Sequence, residues 1–151
     1  MALEQQIEQD LKSALLNREA LKVETLRGLK SVILYVKVAD GTRNIAMADE
    51  MVIALLAKEA KKRQESIDLY LKGGDTMRAE KEQAEKTIIE TYLPKQLSES
   101  ELSKVVDEVI ARTGSDSLAA MGVVIGAVKK ATNGAADGAL IARLVKERLT
   151  A

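Results

Sequence analysis

The side chains in this chain best suited to chemistry are its lysines and arginines, and what they offer is phosphate binding. The densest run is Lys58-Glu59-Ala60-Lys61-Lys62-Arg63. On a helix Lys58, Lys61 and Lys62 fall near one face, away from Val52, Leu56 and Ile67. Two readings fit this pattern. One is a phosphate-binding patch that also takes in Arg63. The other is a solvated helix face on which Lys61 pairs with Glu65. Lys129 and Lys130 form a second basic group, at the end of a stretch that contains Gly122 and Gly126. Those glycines are one turn apart inside an expected helix, where each costs up to ~1 kcal/mol relative to alanine. Close approach of another helix offsets the cost in the structural reading; approach of an RNA backbone does so in the functional one. Close packing is the expectation for the glycines, and the role of the lysines stays open. Arg27 and Lys30 flank the Leu26, Leu29 and Ile33 stripe, where their stems cover apolar surface or meet a partner.

Other chemistries are excluded by residue type. Glu80, Glu82, Glu85 and Glu90 suggest a carboxylate site, but helical-bundle metal sites of that kind pair Glu with His, and the chain has no His. The interleaved Lys81 and Lys86 predict ordinary helix ion pairs instead. No metal and no cofactor is expected. Without His the commonest general base and pH switch are missing, and without Cys there is no thiolate nucleophile and no disulfide. No serine or threonine has a visible base, and no Gly-x-x-x-x-Gly-Lys-Ser/Thr loop occurs. The residues themselves describe a helical binding or interaction module and disfavour an independent enzyme.

The elements that would position these groups are all helical. Apolar residues recur at three- and four-residue steps from Leu3 to Leu15, from Leu21 to Val36 and from Val52 to Leu71. A fourth helix follows through Met77, Ala84, Ile88 and Tyr92. Gly41 and the Gly73-Gly74 pair end the second and third, and Asp75 caps the fourth. Pro94, the only proline, stops that helix, because it lacks an N–H and disfavours the helical region for Leu93. Ser98 and Glu101 then read as a capping box, with Leu97 stapled onto Leu102. Three more helices follow: Leu102 to Ile110, closed by Gly114; Leu118 to Val128, capped by Ser117; and Leu140 to Leu149, capped by Asp137. No stretch alternates with period two. The expectation is all-α, with a four-helix domain over residues 1–94 and a three-helix domain over residues 95–151.

Bulk charge is zero, with 23 basic and 23 acidic side chains, so any RNA contact must be a local patch. Aromatic residues are limited to three tyrosines, which leaves few rings for stacking on bases. The first residues have neither a basic nor an apolar signal-peptide region, and the longest apolar run is too short to span a bilayer. A soluble cytoplasmic protein is expected, of unknown oligomeric state.

Three stretches together resemble the YqeY family, also called the GatB/YqeY family. They are residues 25–33 (TLRGLKSVI), residues 92–98 (YLPKQLS) and residues 121–138 (MGVVIGAVKKATNGAADG). The resemblance extends over essentially the whole chain. It implies a helical front domain followed by a three-helix domain similar to the tail of the B subunit of glutamine-dependent tRNA amidotransferase. It also implies tRNA, or a tRNA-dependent amidotransferase or synthetase, as partner, with a link to carbon–nitrogen ligation using glutamine as amide donor. It does not imply catalysis, since the body of the B subunit that performs the ATP chemistry has no counterpart in 151 residues. The family's glycine turn is commonly flanked by basic residues, whereas here Asn133 and Ala135 flank Gly134. That departure leaves Lys129 and Lys130 as the basic groups near the turn. Two functions follow: a non-catalytic tRNA-associated accessory module, or a protein-interaction domain without an RNA role.

Overall fold

The computed structural model describes residues 1–150; Ala151, the last residue of the expected second domain, lies outside them. Among the described residues there are seven α-helices and no strand: α1 (Leu3–Leu16), α2 (Ala20–Ala39), α3 (Asp49–Lys72), α4 (Thr76–Glu90), α5 (Glu99–Thr113), α6 (Met121–Thr132) and α7 (Gly138–Thr150). The all-α expectation is met. No helix among the described residues is long and apolar enough to cross a membrane. The chain divides into two compact units, Met1–Leu93 and the part from Pro94 onward.

In the first unit α1, α2 and the base of the α3–α4 hairpin share one apolar cluster. Ile7, Leu11 and Ala14 come from α1, Val23, Leu26, Leu29 and Ile33 from α2, Val52, Leu56 and Ala60 from α3, and Ile89 from α4. Each set recurs at three- or four-residue steps, so one stripe of each helix faces inward. Beyond Ala60 the hairpin has only Ile67 and Ala79 as buried apolar residues; Leu71, expected inward, and Met77 are exposed at its tip. No third helix covers that tip among the described residues. Ion pairs replace apolar contact: Arg63 Nε lies 3.1 Å from Glu85 and 3.7 Å from Glu82, and Lys81 reaches Glu85 at 3.9 Å. Burial in this seam, with the Glu82 carboxylate nearby, pushes Glu85 above the usual carboxylate range against the pull of Arg63 and Lys81.

The first three helices end alike. The 6→1 bonds Glu19 N–H to Ala14 (3.0 Å), Thr42 N–H to Lys37 (2.8 Å) and Asp75 N–H to Tyr70 (2.9 Å) close Schellman motifs. Each needs a left-handed residue. Gly41 and Gly74 supply two of them, and Arg18 supplies the third at φ 59°.

A part-buried ion pair joins α1 to α2. Lys37 Nζ donates to Glu4 Oε1 at 2.6 Å, and Glu4 Oε2 accepts the Met47 N–H at 2.7 Å. Burial alone would raise the Glu4 carboxyl, but these two hydrogen bonds outweigh it and hold the group below its usual range. Tyr92 is buried, and its hydroxyl donates to Asp10 at 2.5 Å. Burial and that carboxylate push the phenol well above its usual range.

The fourth helix stops earlier than expected. α4 ends at Glu90, and Tyr92 and Leu93 donate to Ile89 and Glu90 in i→i−3 bonds, a tightened last turn. Pro94 disfavours helical geometry at Leu93, so the helix ends before it.

In the second unit the capping box forms as expected: Ser98 Oγ accepts from Glu101 N–H at 3.1 Å and Ser98 N–H donates to Glu101 at 3.0 Å. Leu102, Val106 and Val109 of α5, Val124 and Val128 of α6, and Ile141, Leu144, Val145 and Leu149 of α7 form its core, with Leu97 packed against it. Gly114 ends α5 at φ 65°. The sixth helix starts later than expected. Residues Leu118–Ala120 form a separate 3-10 turn, and Leu118, expected inward, is half exposed. Asp137 accepts the Leu140 N–H at 3.4 Å at the start of α7.

Candidate nucleic-acid interface

α6 has two unlike faces. Val124, Val128 and Thr132 are buried at four-residue steps, while Gly122, Val123, Gly126, Lys129, Lys130 and Asn133 are exposed. The helix stops because Asn133 and Gly134 both take left-handed conformations, at φ 44° and 85°. The next segment fastens that turn: Ala135 is buried, its carbonyl accepts Leu97 N–H at 2.8 Å, and the Gly134 carbonyl accepts the Gln96 side chain at 3.0 Å. The residues after Pro94 therefore hold the α6–α7 turn in place. This explains why alanine suits position 135, where a charged side chain would be buried without a partner.

The expectation that Gly122 and Gly126 pack closely against another helix is corrected. Among the described residues a Cβ at either position would meet nothing within 4 Å. The periodicity places these glycines opposite Val124 and Val128, on the outer face.

Lys129 and Lys130 occupy the last turn of α6, where they suit the negative end of the helix dipole. They are not equivalent. Lys129 leans toward the start of α7, its Cε and Nζ 3.5 and 3.6 Å from where a Gly138 Cβ would stand. Lys130 is exposed and makes no ion pair among the described residues.

The run on α3 is split by the fold. Lys58, Lys61 and Lys62 are exposed, with Lys62 3.2 Å from Glu59. Arg63 is corrected out of the patch, because its guanidinium is committed to Glu82 and Glu85 of α4. The α3 lysines belong to the first unit and the α6 lysines to the second.

Glu82 and Glu85 thus serve Arg63, and Glu90 pairs with Lys86 at 3.6 Å. Among the described residues no group of three or more carboxylates is arranged to hold a metal ion. Glu4, Lys37 and Asp10, which carry part-buried polar contacts, are not among the candidates the sequence offers, whereas Glu85 is, as one of four helix carboxylates. Lys37 carried a signal, since it continues the Leu26, Leu29, Ile33 stripe.

Among curated proteins none matches this chain. A family model described as Yqey-like protein matches residues 4–149, nearly its full length. The chain belongs to the YqeY family.

Proposed function

We propose that this protein is a non-catalytic, tRNA-associated accessory module. It is a free-standing counterpart of the tail of the B subunit of glutamine-dependent tRNA amidotransferase, linked in that way to carbon–nitrogen ligation with glutamine as amide donor. In this reading Pro94 marks a domain boundary between a four-helix N-terminal domain and a three-helix domain from residue 95 on, and the second domain meets the RNA in the cytoplasm.

The observation that carries the reading is the outer face of α6. Gly122 and Gly126 are bare there, their helix-propensity cost is not offset by any contact among the described residues, and Lys129 and Lys130 follow one turn later. A glycine surface admits a sugar-phosphate backbone closely, and the lysines supply the charge. Lys58, Lys61 and Lys62 assist from α3.

The test is anisotropy of labelled tRNA titrated with the protein across a salt series. Binding should weaken steeply with salt, with a slope that falls by about one unit for each phosphate contact removed. Lys130→Glu should weaken binding more than Lys129→Glu, since Lys129 already leans onto α7. No binding at low salt would refute the reading. The second reading, a protein-interaction domain, draws on the exposed Leu34, Tyr35 and Val38 of α2.

A further inference from the structure

The stretch over residues 25–33 has no part in the RNA reading, yet it lines a hollow of the first unit. Between α1 and α2 lies a groove of about 640 Å³, with Leu11, Ile33 and Leu34 as its apolar lining. Its charged residues are Glu4, Glu8, Arg27, Lys30 and Lys37. Four of these are paired: Lys37 with Glu4 at 2.6 Å and Lys30 with Glu8 at 3.4 Å. Arg27 is exposed and has no carboxylate within ion-pair distance among the described residues. One positive charge is therefore left over beside an apolar trough.

We propose that this groove binds a small aliphatic monocarboxylate, with the carboxylate on Arg27 and the hydrocarbon along Leu11, Ile33 and Leu34. The volume lies in the range of small-molecule pockets, which are mostly apolar with few orienting polar groups. Arg27 presents a planar fork of donors that matches a carboxylate in bidentate fashion. Lys30 stands one turn further along α2. Its bond to Glu8 is long and solvent-exposed, so it is readily shared with a second anion. Ser31 is not a donor here, because its hydroxyl already donates to the Arg27 carbonyl at 3.0 Å. Charge sets the ligand class. Glu4 and Glu8 border the groove, so a dianion such as phosphate meets two carboxylates for one uncompensated cation, and a monoanion meets a balanced site.

The experiment is a titration of the 15N-labelled full chain with octanoate, followed by amide shifts, with octanol, octylamine and inorganic phosphate in parallel. Octanoate should shift the amides of Arg27, Lys30 and Leu34 saturably, while the other three compounds bind at least tenfold more weakly. Arg27→Gln should weaken octanoate about tenfold, the loss of one charge-assisted contact. Leu34→Gln, at a half-exposed position, should weaken it through the apolar end. Both sites are exposed enough for the variants to fold, and unchanged spectra elsewhere verify that. No saturable shift, octanol or phosphate binding as tightly as octanoate, or undiminished affinity in Arg27→Gln would each overturn the proposal.

Discussion

Replacing Gly126 by alanine should make the second unit more stable, by an amount the structure allows to be worked out. Gly126 lies in the middle of α6, on its exposed face, and the added Cβ would meet nothing within 4 Å. No packing term enters, so the change reduces to helix propensity, which favours alanine by about 0.8–1 kcal/mol. Gly122 has the same open surroundings but lies in the first turn of α6, where the backbone N–H has no intrahelical partner. Alanine there should gain about half as much. Together the two changes amount to roughly 1–1.5 kcal/mol. For a unit of this size that corresponds to roughly 5–10 °C in midpoint. The assay is far-UV circular dichroism during thermal and urea unfolding, comparing wild type, both single variants and the double. A drop in stability for Gly126→Ala would mean that something packs against the outer face of α6 and would refute the reasoning. If the glycines are kept for RNA approach, the stabilised double variant should also bind tRNA less tightly.

Arg18 holds a left-handed conformation that the equivalent positions 41 and 74 give to glycine, so Arg18→Gly should relieve about 1 kcal/mol of backbone strain, less what glycine costs through the unfolded chain, and raise the urea midpoint modestly. Ile141 is fully buried in the second unit's core, so Ile141→Ala should cost about 2–5 kcal/mol, enough to unfold a unit of fewer than 60 residues. Hydrogen exchange should then show α5–α7 unprotected while α1–α4 keep their protection. Glu4 is held below its ordinary value near 4.5, so its contribution is fully present above that value and is lost as pH falls through the depressed one. Glu4→Gln should lower stability at neutral pH and flatten the acid limb of the stability–pH curve between about pH 5 and 3, measured by urea unfolding at each pH.

Helix identities and most stops were legible because local rules decide them: apolar spacing, Asp75, the Ser98–Glu101 box and Pro94 act within a few residues of themselves. The misplaced positions are those where a distant partner decides. Leu71 keeps a helical apolar spacing but reaches a hairpin tip that no third helix covers among the described residues. Leu118 fits the α6 stripe by spacing, yet the 3-10 turn takes it off that stripe. The helix-propensity cost of Gly122 and Gly126 suggests close packing, but Val124 and Val128 fix the opposite face of α6 as the buried one. Arg63 belongs to the basic run by sequence and to α4 by contact, because its long side chain crosses to Glu82 and Glu85. The candidate RNA interface is half legible: its lysines stand out in the sequence, but their inequivalence depends on the contact of Lys129 with Gly138, nine residues further on.

The bond between Tyr92 and Asp10 closes the first unit at the point where the chain leaves it, and it also makes the protein optically lopsided. Tyr35, Tyr70 and Tyr92 all precede Pro94, and no tryptophan or phenylalanine exists anywhere. The second unit is therefore dark in the near ultraviolet. Tyr92, packed and bonded to a carboxylate, should contribute more to the chiral near-ultraviolet signal than the exposed Tyr35. A near-ultraviolet trace follows the first unit alone, while a peptide-bond trace follows both. Two probes on one unlabelled sample thus report whether the units melt together, and any partner of the second unit that brings its own tryptophan can be watched without background from the surface it covers.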